Sequence, residues 1–160
     1  MEKSQNISFS YKEFDKIEEL DPDDRELVSE AREAAVHAYA PYSKFRVGAA
    51  VRLESRTIIC GTNVENSAFP SGICAERNAL SNTVSNHGND KPVAIAIAAM
   101  TENGLTNDPV SPCGNCRQVI AEEELKNGNH IRIILSGKKR TIVIESISSL
   151  LPLQFNLRYF

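Results

Sequence analysis

The stretch Val93-Ala94-Ile95-Ala96-Ile97-Ala98-Ala99-Met100 is an apolar run with no polar residue at alternate positions. It is far shorter than the ~20 residues of a membrane-spanning helix. The missing alternation marks a strand covered on both faces. Such a strand belongs to a sheet with helices on each side, and the flanking sequence supplies them. Upstream, Cys74-Ala75-Glu76-Arg77-Asn78-Ala79-Leu80 opens a helical pattern that ends at His87-Gly88. Downstream, Gly114 to Leu125 forms a second helix, stopped by Asn127-Gly128.

Farther out, Val47–Leu53 and Thr57–Cys60 read as strands joined by the polar turn Glu54-Ser55-Arg56. Ile131–Leu135 and Thr141–Ile144 form a second pair, with the basic run Lys138-Lys139-Arg140 in its turn. Asp21-Pro22-Asp23-Asp24 opens an earlier helix, with an acid at the cap, proline in the first turn and acids at the positive dipole end. Its apolar stripe is Leu27, Ala31, Ala34, Ala35 and Ala38. Pro41 ends it, and His37 falls off the stripe as a surface histidine. Ser146–Leu151 reads as a short closing helix. The order β-β-α-β-α-β-β with flanking helices predicts an α/β fold, a mixed five-stranded sheet inside a three-layer α/β/α sandwich. Residues 1–20 read as an N-terminal extension, in which Ile7, Phe9 and Tyr11 alternate with serines as a short half-buried strand. Residues 21–160 read as a single domain.

With 160 residues the chain suits one domain with a real core. Its 18 Lys+Arg against 21 Asp+Glu leave a net charge of −3. That removes any general attraction to phosphate backbones, so no nucleic acid polymer is expected as a partner. No membrane association is expected either. Residues 1–15 are polar and lack the apolar stretch of a secretory signal, so the expected location is cytoplasmic.

Four cysteines in a chain of this kind are too sparse for a disulfide-stapled scaffold, so metal binding or catalysis is the better reading. Cys74 opens one helix, and Cys113 and Cys116 open the next, within Pro112-Cys113-Gly114-Asn115-Cys116. Cysteines three apart on a helical turn can reach one ion, and a βα unit can bring the other helix start beside them. Three thiolates suit Zn²⁺, one per subunit. Three protein ligands with an open position are the catalytic pattern, whereas structural zinc is closed by four. A closed site with Cys60 as fourth ligand is the alternative. Cys60 ends a strand behind Ile58 and Ile59, however, and reads better as a buried core thiol. Glu76 lies two residues past a ligand, where a carboxylate can take a proton from zinc-bound water and pass it to a leaving group. Three thiolates leave the site net negative, and Arg77 is a candidate to offset that charge by hydrogen-bonding sulfur.

These motifs follow the signature of zinc deaminases, ligand-x-Glu and then Pro-Cys-x-x-Cys. Across roughly residues 22–155 the chain resembles the cytidine deaminase family, the small zinc enzymes of pyrimidine salvage. Tyr42-Ser43-Lys44-Phe45-Arg46-Val47-Gly48-Ala49-Ala50 is similar to the family's first strand entry, and Asn63-Val64-Glu65-Asn66 to its nucleoside-binding motif. Cys74-Ala75-Glu76-Arg77 and Ser111-Pro112-Cys113-Gly114-Asn115-Cys116-Arg117-Gln118 match both zinc segments. The resemblance implies hydrolytic deamination of cytidine and 2′-deoxycytidine to the uridine products with release of ammonia. It implies ribose contacts from Asn63 and Glu65, Phe45 on the pyrimidine face, the Ala75 N–H on the ring carbonyl, and the Ser111 carbonyl near the departing amine. Leu150-Leu151-Pro152-Leu153-Gln154-Phe155 resembles the family's C-terminal stretch, whose Phe reaches a neighbouring subunit's site. The chain would then be a homotetramer with shared sites. The resemblance assigns no role to residues 1–20 or 156–160.

Overall fold

The structure, a computed structural model, describes residues 2–156. Strand β4 (Pro92–Thr101) lies inside the sheet. On one side it pairs antiparallel with β2 (Arg46–Leu53), and β3 (Ile58–Thr62) lies beyond that. On the other it pairs parallel with β6 (Arg132–Ser136), which is followed by β7 (Thr141–Ile144). These are the five expected strands in a mixed sheet. Two short strands extend it to seven: β1 (Lys12–Phe14) on the free edge of β7, and β5 (Gly104–Leu105) folded back on the end of β4. Gly104 has φ 88°, a conformation open to glycine, where the chain reverses into β5.

The N-terminal strand does not lie where alternation suggested. Ile7, Phe9 and Tyr11 are each more than half exposed, and the pairing begins at Lys12 opposite Val143. The alternating residues meet no sheet; the free edge of β7 sets where the chain can pair. Phe14 and Ile17 then pack against the core, and Leu20 is buried.

Three helices make the outer layers. Helix α1 (Pro22–Val36) covers one face, and α2 (Ala75–Asn86) and α3 (Gly114–Asn127) cover the other. The apolar run in β4 divides by size between them. Ala94, Ala96 and Ala98 face α1, while Ile95 and Ile97 join the core beneath α2 and α3. Small side chains on the first face let α1 lie close. A Cβ on Gly48 would stand 2.2 Å from the Ala31 carbonyl oxygen and 2.3 Å from the Ala35 nitrogen. The Asp21 carboxylate makes no cap hydrogen bond to α1. The acid that anchors this helix start is buried Asp24, held by Arg52 at 3.1 Å and Arg132 at 3.0 Å. The expected closing helix is a single 3₁₀ turn, Ile147–Ser149, fastened to α3 because Glu124 accepts from the Ile147 N–H at 3.1 Å and the Ser146 hydroxyl at 2.8 Å.

Gly61 sets the height of α2. A Cβ there would lie 2.4 Å from the Ala79 nitrogen and 2.6 Å from the Ala75 carbonyl oxygen, so helix backbone rests on strand backbone. Among the described residues no helix is long and apolar enough to cross a membrane. Gly61→Ala should cost about 1–3 kcal/mol in denaturant unfolding, because α2 must lift. Gly114→Ala, with open space around it, should stay within about 0.5 kcal/mol of the parent. A Gly61→Ala protein as stable as the parent would contradict the backbone contact.

Candidate active site

The N-terminal ends of α2 and α3 meet at one end of the sheet. Cys74 is the residue before α2, Cys113 the residue before α3, and Cys116 lies in the first turn of α3. The sulfurs of Cys74 and Cys113 are 4.0 Å apart and those of Cys113 and Cys116 are 3.4 Å apart. All three lie within 4.8 Å of one another, a group able to hold a metal ion. Tetrahedral zinc with Zn–S bonds of ~2.3 Å would set its sulfurs ~3.8 Å apart, so the spacing and the soft donors suit that ion. Among the described residues no fourth Cys, His, Asp or Glu completes the group.

Burial pushes the Cys74 and Cys116 thiols up from their ordinary values. Burial acts on Cys113 as well. There it is outweighed by hydrogen bonds from the Cys116 N–H, from the Cys116 and Cys74 thiols and from the Asn115 N–H, which hold that thiol below its ordinary value. The Cys116 N–H reaches the Cys113 sulfur at 3.4 Å, a cap on the helix that favours thiolate there.

Cys60 stands elsewhere and is not a core thiol. It lies exposed on β3 opposite Ala50, on the α1 side of the sheet, with its sulfur 3.9 Å from a Glu30 oxygen. The physical reason is the pleat. Ile59 and Gly61 take the buried positions, and the residue between them points to the other face of an edge strand, where α1 does not cover it.

Glu76 is 5% exposed, at the first turn of α2. Burial raises its carboxyl above the usual carboxylate range, against hydrogen bonds from its own backbone N–H and the Cys116 thiol. A carboxyl in that condition can hold a proton and release it.

A cleft of about 760 Å³ opens over Cys74, Glu76 and Cys113. Phe45, Asn63, Glu65, Ala75 and Ser111 also line it, so these five expected substrate contacts share the cleft with Cys74, Glu76 and Cys113. Cys116 is buried behind them. Segment 63–73 is stitched into place because Val64 and Ile73 exchange backbone hydrogen bonds at 3.0 and 3.1 Å, which leads the chain directly into Cys74.

The polar residues already have partners. Asn63 accepts from the Val47 N–H at 2.7 Å and donates to the Phe45 carbonyl at 2.9 Å, bracketing the aromatic residue. Glu65 accepts from the Ser43 hydroxyl, from the Tyr42 N–H at 2.8 Å and from the Ser43 N–H at 3.2 Å. The Ser43 hydroxyl above all, with those two N–H groups, holds the Glu65 carboxylate below its usual range.

Two expected residues lie off the cleft. Phe155 is 62% exposed and is not among its lining residues. Arg77 is half-buried and makes no hydrogen bond or ion pair to the sulfurs in the structure. The arginine beside the cysteines that does have partners is Arg117, which donates to the carbonyls of Pro112 at 2.9 Å and Leu150 at 2.8 Å. Reading the sequence missed Arg117 and Ser43. Neither has a local signal, since their partners are backbone carbonyls or side chains placed by the fold. Tyr42 and Phe69 were missed as a pair: their rings meet edge to face at 6.0 Å on the rim.

A family model described as the zinc-binding region of cytidine and deoxycytidylate deaminases matches residues 21–128. The cytidine deaminase of Sporosarcina psychrophila is 44% identical over 134 residues, covering 84% of this chain and 92% of that protein. That of Halalkalibacterium halodurans is 46% identical over 96 residues, 60% of this chain and 68% of that protein. The crystal structure of cytidine deaminase from Burkholderia pseudomallei superposes with a TM-score of 0.70 at 34% identity, over 81% of this chain and 97% of that one. The structure from Mycobacterium tuberculosis gives 0.67 at 31% identity, over 86% of this chain and all of that one, 100%. The family match spans both helix starts that carry the three thiols and the buried carboxylate, and with it the chain belongs to the cytidine and deoxycytidylate deaminase family.

Proposed function

We propose that this chain hydrolyses the exocyclic amine of cytidine and 2′-deoxycytidine, consuming water and releasing ammonia with the uridine product. The observation that carries this reading is a buried carboxylate, Glu76, beside three converging thiols at the base of a cleft large enough for a nucleoside. Cys74, Cys113 and Cys116 would hold one zinc ion. Zinc bound there supplies a Lewis acid and brings the pKa of a water toward ~7.

The chain's own residues do the rest. Glu76 takes one proton from the attacking water and delivers it to the ring nitrogen N3. It then takes the second proton from the oxygen newly bonded to C4 and gives it to the amine as the C4–N bond breaks, so that ammonia leaves and the C4 carbonyl forms. Phe45 packs on the pyrimidine face. The Ala75 N–H belongs to the first turn of α2, where amides lack helical partners, and it donates to the ring carbonyl. The Ser111 carbonyl accepts from the exocyclic amine. Asn63 and Glu65 would read the sugar with what their present bonds leave over. A carboxamide has two donor hydrogens and two lone pairs, of which Asn63 uses one each. A carboxylate has about four acceptor sites, and Glu65 uses three. The remaining site suits a 3′-hydroxyl, which ribose and deoxyribose share. Both nucleosides are therefore expected as substrates in pyrimidine salvage.

The net charge of −3 favours a free nucleoside over a polymer. Four free thiols suit the reducing cytoplasm. Phe155, exposed on its own chain, is proposed to complete a neighbour's cleft in a homotetramer. The N-terminal extension and the tail carry no assigned role, and residues 157–160 of the tail lie outside the described residues.

Glu76→Gln should keep its zinc and lose at least ~100-fold in turnover of both nucleosides, followed by absorbance. Full activity with zinc retained would remove Glu76 from the mechanism. Cys60→Ser should leave zinc content at one per chain; loss of the metal would favour a closed structural site. Mixing Glu76→Gln with Phe155→Ala subunits should yield hybrid assemblies more active than either parent, because some sites then hold both native residues. No gain on mixing would argue that each chain completes its own site.

A further inference from the structure

We propose that Arg117 is a positioning residue for the Cys113 turn and couples it to the C-terminal segment; this rests on the three-cysteine metal reading above. Three bonds carry the argument. The main-chain N–H of Arg117 donates to the Cys113 carbonyl at 2.9 Å. Its Nε–H donates to the Pro112 carbonyl at 2.9 Å, and its Nη1–H to the Leu150 carbonyl at 2.8 Å. One residue therefore takes two consecutive carbonyls of the cysteine turn, one with main chain and one with side chain. The two peptides that flank Cys113 are each held by their carbonyl, and together they set the direction in which the Cys113 side chain leaves the backbone.

Pro112 is buried and precedes the residue before α3, so no amide of that helix is positioned for its carbonyl. Removing the guanidinium would leave that oxygen without its partner. The second arm reaches the end of the 3₁₀ turn at 147–149. Leu150 and Leu151 pack against the core beneath α2 and α3, and both N–H groups return to the Ile147 carbonyl, at 2.8 and 2.9 Å. The next residue of α3 continues the tie, since the Gln118 carboxamide donates to the Phe155 carbonyl at 3.0 Å. A planar fork can serve two carbonyls from different segments at once, whereas a lysine ammonium is a single point on a flexible stem. The turn bearing Cys113 and the segment leading to Phe155 are thus joined through one guanidinium.

The test uses zinc-loaded full-length protein and times metal release to a chromogenic chelator. Wild type is compared with Arg117→Met, Arg117→Lys and Lys126→Met. The last removes an ion pair to Glu123 at the far end of α3 and controls for general loss of helix stability. Hydrogen exchange of residues 147–151 is followed before and after chelation. Arg117→Met should release zinc at least about tenfold faster than wild type, the usual scale for losing a group that orients a metal ligand. Arg117→Lys should fall between, and Lys126→Met should match wild type. In wild type, zinc removal should speed exchange at 147–151; in Arg117→Met that exchange should be fast with or without zinc. Should Arg117→Met not fold, Arg117→Lys carries the same comparison. Unchanged release in Arg117→Met, full retention by Arg117→Lys, or equal acceleration by Lys126→Met would each overturn the coupling. A wild type that binds no zinc would overturn the metal reading and this inference together, an outcome distinct from those three.

Discussion

Helix α2 can lie where it does only because residue 61 has no side chain. Its backbone rests on β3 with no room for a methyl group, and that contact holds the start of the helix at the end of the sheet. Everything chemical on α2 inherits its position from there: Cys74 before the first turn, the free amide of Ala75, and Glu76 turned into the interior. Helix α3 arrives by a separate route, as the crossover between the parallel strands β4 and β6. Its start therefore falls at the carboxyl end of β4, where open α/β sheets place their ligand crevices.

The convergence has an electrostatic cost that is visible in the side chains. Burial pushes two of the thiols and the Glu76 carboxyl up, because a crowded, low-dielectric pocket disfavours their charged forms. Helix amides and neighbouring thiols draw only Cys113 the other way. A divalent cation would reverse this balance, since a coordinating thiol gives up its proton. Around this centre the polar groups of the cleft are organised in advance. Asn63 brackets Phe45, Glu65 gathers the 42–43 turn, and Arg117 secures Pro112. Preorganisation of this kind lowers what binding must spend on ordering side chains.

The five main strands and three helices were legible because their signals are local: apolar runs bounded by glycine, proline and asparagine, and an acid-rich start for α1. The missed elements lack such signals. Strand β1 is three residues long and owes its place to the free edge of β7, so the alternation at Ile7, Phe9 and Tyr11 pointed to the wrong span. Cys60 was misread because two isoleucines precede it; on an edge strand the pleat turns it outward beyond α1. The partners of Arg117 were illegible for a related reason. Adjacency to a cysteine says nothing about which carbonyls a guanidinium can reach, and those of Arg117 lie five residues back and thirty-three residues ahead.

By itself the sequence determined the order of elements, the residue types at the two helix starts and the chemistry they offer. These depend on spacing along a few turns of chain, where the periodicity of helix and strand is enough. Only the tertiary structure decided which sulfurs approach within 4.8 Å, which cysteine stands apart and which polar groups of the cleft are already bonded. Those outcomes rest on sheet register and on backbone contacts between residues distant in the chain. Gly61 under α2 is the clearest of them: its missing side chain has meaning only once the helix is laid across it.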